Sequence, residues 1–165
     1  RAVELIEEGS TIFLGTGTTV EQMASMLPAC RLRIVTNSLS VFNLLEERED
    51  CDLCLVGGMY RRRTAAFVGP TAEDTLRALG IDAAFIGANG ILDGDVSTSN
   101  MDEGRIQQLA FSKADSRYLI ADSSKIGKRD FYTFCRLDSL DAVVCEPSIS
   151  AEDRAAIEEH TQVIC

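Results

Sequence analysis

Thr11-Ile12-Phe13-Leu14-Gly15-Thr16-Gly17-Thr18-Thr19-Val20 decides how the rest of the chain is read. Its first residues are apolar and partly β-branched, the pattern of a short buried strand. Two glycines then break the run, and Val20, Met23, Ala24 and Leu27 mark one face of a helix for which Thr18 or Thr19 is the expected cap. A strand, a Gly/Thr turn and a helix in that order aim backbone N–H groups and hydroxyls at the positive end of a helix dipole, where an anion such as phosphate is favoured. The same letters also fit a tight βα turn without a ligand. The stretch is not a P-loop, because no Gly-Lys-Ser/Thr follows, and Val20 stands where a G-x-G-x-x-G motif has its third glycine.

Further along, strand-like apolar runs alternate with helical patterns. Arg33 to Val35 leads into Thr36-Asn37-Ser38, with a helix after it on Leu39, Phe42, Leu44 and Leu45. Cys51 to Val56 ends in Gly57-Gly58, followed by an irregular basic stretch, Tyr60 to Thr64, and a helix opened by Gly69-Pro70. Ala83 to Ile86 ends in Gly87-Ala88-Asn89-Gly90, then comes a loop from Asp93 to Asn100 and a helix carrying Glu103, Ile106, Leu109, Ala110 and Phe111. Arg117 to Ala121 ends in Asp122-Ser123-Ser124-Lys125, and Phe131, Tyr132 and Phe134 form a polar–aromatic stretch. The tail holds a strand over Ala142 to Cys145, a helix opened by Ser150 and Asp153, and a last strand over Gln162 to Cys165. Nearly continuous apolar strands alternating with helices predict an α/β fold: a mostly parallel sheet covered on both faces, three layers α/β/α. Ligands of such sheets bind outside the carboxyl ends of the strands, and five of these ends carry small or polar residues. One composite pocket is expected there.

At 165 residues the chain reads as one domain, 1–165, with 45% hydrophobic and 25% charged residues. No apolar run approaches the roughly 18 residues of a membrane span, and no signal peptide is evident, so no membrane is expected as partner. The chain opens at Arg1 inside a helical pattern, as a piece of something longer would. A net charge of −10 argues against direct, sequence-independent DNA binding. The six cysteines include Cys51-x-x-Cys54, but that pair lies in a strand pattern without a second Cys pair, and His160 is the sole histidine. A zinc site needs about four ligands, so the cysteines read as structural thiols in a reducing, cytoplasmic setting, with no metal and no cofactor.

Lys125 is placed to supply a cation to a bound anion, and Arg61-Arg62-Arg63 to guard the pocket mouth or form a subunit contact. Asp95, Asp102 and Glu103 are candidate acids, suited to general base work or to holding sugar hydroxyls. Ser38 and Ser123 lack an activating base, and His160 reads as a surface residue.

Taken in order, Gly15 to Thr19, Val35 to Ser38, Val56 to Gly58, Phe67 to Pro70, Phe85 to Ile91 and Ala121 to Gly127 resemble the effector-sensing domain of DeoR-family bacterial transcription regulators, over Arg1 to about Glu146. Within that family, Phe131-Tyr132 and Asp93-Gly94-Asp95 are similar to the lactose phosphotransferase repressors. The resemblance implies a sugar-phosphate sensor with the fold of ribose-5-phosphate isomerase A and CoA-transferases. It implies a homo-oligomer whose DNA contacts are made by an N-terminal winged helix-turn-helix outside these residues. Thr16, Gly17, Thr18 and Thr19 would hold the phosphate with Lys125; Asn37, Ser38, Gly57, Gly58 and Asn89 would line the pocket; Asp95 and Glu103 would read sugar hydroxyls. No catalytic residue is assigned.

An isomerase is the alternative. The isomerases resemble the chain at the Gly/Thr turn and at Ala121 to Lys125, and Glu103 stands where they carry a catalytic glutamate. Their Asp-Gly-Ala-Asp-Glu motif is replaced by Gly87-Ala88-Asn89-Gly90-Ile91, and their Lys-Gly-Gly-Gly segment by the lysine-free stretch Asp93 to Val96. One carboxylate can hold a hydroxyl, but proton shuttling also needs stabilisation of an enediolate. A CoA-transferase-like reaction would need a catalytic glutamate on an exposed loop after a strand, which the sequence lacks.

Overall fold

The computed structural model describes all 165 residues, Arg1–Cys165. Seven parallel strands form the central sheet: β1 (Thr11–Leu14), β2 (Leu32–Thr36), β3 (Cys51–Leu55), β6 (Ile81–Gly87), β9 (Ala114–Ile120), β11 (Ala142–Val144) and β12 (Gln162–Ile164). Their order across the sheet is β12-β11-β9-β6-β1-β2-β3. Successive residues of a strand face opposite sides, and β1 shows the consequence. Ile12 and Leu14 join one core with α1 (Thr18–Ser25) and α2 (Leu39–Leu45), whereas Phe13 joins the other with α3 (Pro70–Arg77), α4 (Met101–Lys113) and α5 (Ala151–Glu158). The sheet is thus sandwiched between two helical layers, the three-layer α/β/α arrangement.

The chain runs outward from β1 to β2 and β3, then returns to the other side of β1 as β6. After β1 it enters α1 on one face, and after β6 it reaches α4 on the other. Connections that part in this way leave a crevice at the carboxyl ends of the two strands.

Two segments expected to be irregular are paired strands. The basic stretch belongs to a hairpin of β4 (Met59–Arg61) and β5 (Ala66–Val68), with Tyr60 and Phe67 rings 5.3 Å apart. The Asp93–Asn100 loop contains most of a second hairpin, β7 (Gly90–Leu92) and β8 (Asp95–Thr98), to which β10 (Tyr132–Arg136) adds a third strand. Asp93 and Gly94 have φ of 52° and 79°, the conformation that Asp-Gly hairpin turns require. Other differences are local. Gly17, not Thr18 or Thr19, is the N-cap of α1. On α2, Val41 and Leu45 are buried while Leu44 is exposed. Ser150 caps α5 as expected, its Oγ accepting from the Asp153 N–H at 3.0 Å. The cysteines are free thiols, and no group of three or more His, Cys, Asp or Glu side chains gathers as a metal site. His160 is held by Asp138, Nδ1 to Oδ1 at 2.7 Å. No helix is long and apolar enough to cross a membrane.

Candidate functional site

A cavity of about 380 Å³ opens at the crevice between β1 and β6. Its floor is the Gly/Thr turn. Gly17 has φ of 112° and ψ of 151°, backbone that an L side chain adopts only with strain. The N–H groups of Thr16, Gly17, Thr18 and Thr19 donate to no backbone or side-chain group of the protein, whereas Gly15 continues the ladder by donating to Phe85 O at 3.0 Å. The free amides at the start of α1 thus belong to residues that line the cavity, as an anion site needs. Gly87 forms the adjoining wall, and a Cβ there would come 3.3 Å from Thr16 O.

Three cations line the same cavity. Arg62 and Arg63 reach the cavity from the β4–β5 hairpin, and Lys125 from the short 3-10 turn Ser123–Lys125. None of them is paired with a carboxylate of the protein, in contrast to Arg61. The Lys125 turn is fixed at its start: Asp122 Oδ1 accepts from the Ser124 N–H at 2.9 Å, and Glu146 accepts from the Ser123 N–H at 3.0 Å. The Ser124 hydroxyl holds the Asp122 carboxyl below its ordinary pKa, and Ser123 does the same for Glu146. Against the cations the cavity sets two carboxylates, Glu21 and Glu103. Arg61 Nε lies 2.7 Å from Glu103 Oε1, an ion pair without the alignment of a hydrogen bond, and the Thr64 hydroxyl donates to the same oxygen. The cavity is thus cationic in a chain whose net charge is −10.

Seven of the twelve residues singled out from the sequence line this cavity: Thr16, Gly17, Thr18, Thr19, Asn89, Glu103 and Lys125. Asn89 Nδ2 also donates to Asp130 Oδ2 at 2.8 Å. The other five lie elsewhere. Asn37 and Ser38 are covered by the β4–β5 hairpin: Asn37 Nδ2 donates to Phe67 O at 3.2 Å, and Ser38 caps α2 by accepting from the Val41 N–H. Gly57 and Gly58 form the turn into β4, where a Cβ on Gly58 would come 2.6 Å from Val68 O. Gly58 thus permits close chain approach, whereas a Cβ on Gly57 would meet nothing within 4 Å. Asp95 sits at the opposite end of β8 from Thr98 and pairs with Arg136 at 2.9 Å and Arg129 at 3.6 Å. Asp102 is exposed.

Sequence reasoning missed Thr64, Thr98, Ser99 and Gln107, all of which line the cavity. A signal existed for Gln107 alone, since it lies four residues after Glu103 and so shares its helix face. The other three depend on the hairpins.

The description "DeoR C terminal sensor domain" matches residues 1–146. The chain is 42% identical over 165 residues to the lactose phosphotransferase system repressor of Staphylococcus epidermidis, covering 99% of this chain and 65% of that protein. It is 39% identical to the repressor of the same name from Lactococcus lactis subsp. lactis, covering 99% of this chain and 66% of that protein. The chain therefore spans about two thirds of the length of these relatives. Among solved structures it is similar to ribose 5-phosphate isomerase A from Methanocaldococcus jannaschii, with a TM-score of 0.53 at 19% identity over 76% of this chain and 50% of that one. It is also similar to translation initiation factor eIF-2B from Pyrococcus horikoshii, with a TM-score of 0.54 at 10% identity over 86% of this chain and 58% of that one. At such identities these likenesses concern the fold alone. The family match covers nearly the whole chain, and the family is one of regulatory sensors rather than enzymes: the chain belongs to the DeoR C-terminal sensor domain family.

Proposed function

We propose that this chain is the effector-sensing part of a DNA-binding repressor of sugar metabolism and that its cavity takes a phosphorylated sugar. One observation carries the reading: unpartnered amides of Thr16 to Thr19 share a cavity with Arg62, Arg63 and Lys125, none of which has a protein counter-ion. A phosphate accepts from such amides and neutralises such cations. The polar walls supplied by Thr64, Thr98, Ser99, Glu103 and Gln107 suit the hydroxyls of the sugar. With Arg61 and Thr64 engaging one Glu103 oxygen, that carboxylate is held as a hydrogen-bonding wall rather than freed as a proton shuttle.

In this reading the repressor is a cytoplasmic homo-oligomer whose DNA contacts come from an N-terminal winged helix-turn-helix. Ligand then shifts the population of oligomer geometries that set the spacing of the DNA-binding heads.

Thermal unfolding against a panel of pentose and hexose phosphates tests the reading. A ligand at 100 times its Kd stabilises by about 2.7 kcal/mol, which raises Tm by roughly 5–10 °C in a domain of this size. Gly17→Val is expected to abolish that rise while the protein still unfolds cooperatively. A panel without any shift, an unchanged shift in the variant, or isomerised product seen by NMR would each count against the sensor.

A further inference from the structure

Gln107 lies on the same face of α4 as Glu103, one turn further on, and both side chains line the cavity. It is 5% exposed, and its Nε2 donates to the carbonyl of Gly87, the last residue of β6, at 3.3 Å. A carbonyl accepts and never donates, so only the amide nitrogen can face Gly87, which fixes Oε1 on the other side. There Oε1 is buried and meets no donor from the protein. Buried acceptors are almost always satisfied. A dianionic phosphate or a ligand carbonyl, having no proton to give, cannot satisfy this one. A hydroxyl can.

We propose that Gln107 is a specificity-determining residue that accepts a hydrogen bond from a hydroxyl of the bound sugar phosphate. The inference rests on the sugar-phosphate reading of the cavity and adds to it the residue that separates a hydroxylated ligand from bare phosphate or a deoxy analogue. Glu103, already engaged by Arg61 and Thr64, has less freedom to make that distinction.

Calorimetric titration of the protein with inorganic phosphate, ribose 5-phosphate, fructose 6-phosphate, glucose 6-phosphate and their deoxy analogues tests the assignment, in the wild type and in Gln107→Met. Methionine keeps the length and helix preference of the side chain but removes the acceptor, together with the Nε2 donor to Gly87 O. The wild type is expected to bind at least one sugar phosphate more tightly than inorganic phosphate. Removing one particular hydroxyl should cost about tenfold in Kd, and in Gln107→Met the same removal should cost less than twofold. Equal deoxy penalties in both proteins overturn the assignment. So does wild-type binding of phosphate and sugar phosphates with equal affinity, the result expected if water alone satisfies Oε1; that outcome leaves the anion site standing. No binding of phosphate or of any sugar phosphate overturns the underlying reading as well. Should Gln107→Met fail to fold, the wild-type deoxy series decides alone: no single hydroxyl whose loss weakens binding by about tenfold refutes the role.

Discussion

Arg61 and Glu103 join two parts of the chain that the sheet does not connect. With Nε 2.7 Å from Oε1, they tie the β4–β5 hairpin to the first turn of α4. The hairpin carries Arg62 and Arg63 on one side of the cavity, and α4 carries Glu103 and Gln107 on the other. Glu103 is buried, with 5% of its side chain exposed, and an uncompensated charge at such a place is costly.

Glu103→Gln should therefore lower stability by about 1–3 kcal/mol and loosen the hairpin. Limited trypsin digestion followed by mass spectrometry reads the second effect directly, because Arg61, Arg62 and Arg63 are all cleavage sites. Cleavage there is expected to accelerate severalfold over wild type. An unchanged cleavage rate would mean that strand pairing, rather than the ion pair, holds the hairpin down.

Gly104 permits the close seating of α4 on the second hairpin. A Cβ at this position would lie 2.3 Å from Tyr132 Cδ1 and 3.3 Å from Thr98 Cγ2. Alanine is favoured over glycine inside a helix by about 1 kcal/mol, yet the overlap costs typically 1–3 kcal/mol. Gly104→Ala should be destabilising in urea titration. Combined with Tyr132→Ser it should cost less than the sum of the two single changes. Strict additivity would show that the ring does not bear on Gly104.

The Lys125 turn makes the protein sensitive to acid. Asp122 and Glu146 are held below their ordinary pKa values, mainly by hydrogen bonds from Ser124 and Ser123. As pH falls below the ordinary carboxylate range near 4, the unfolded chain takes up these protons before the folded one, so stability falls with pH. The contribution is full above that range and is lost as pH drops through the depressed folded values. Asp122→Asn combined with Glu146→Gln should flatten the slope of Tm between pH 5 and pH 2.5 while leaving the turn capped. A slope equal to that of wild type would assign the acid sensitivity to other carboxylates.

The regular part of the fold was written in local residues. Ile12–Leu14, Ile34–Val35 and Ala83–Ile86 are short apolar runs bounded by glycine or polar residues, so period and punctuation suffice to read them. The Gly15–Thr19 turn was legible for the same reason, because its glycines and free amides belong to one short segment. The alternation of strands and helices carried the layer architecture. Tertiary structure decided the rest of the cavity. The strand order puts β6 beside β1 and so brings Asn89 to the Gly/Thr turn. The β4–β5 hairpin covers Asn37 and Ser38 and delivers Arg62, Arg63 and Thr64 in their place. Asp95 was drawn into ion pairs with Arg136 and Arg129, the first of them 41 residues away. The physical reason is range. A turn's backbone is set by its own residues, whereas the partner of a side chain is set by where distant segments pack, and several placements suit the same local pattern.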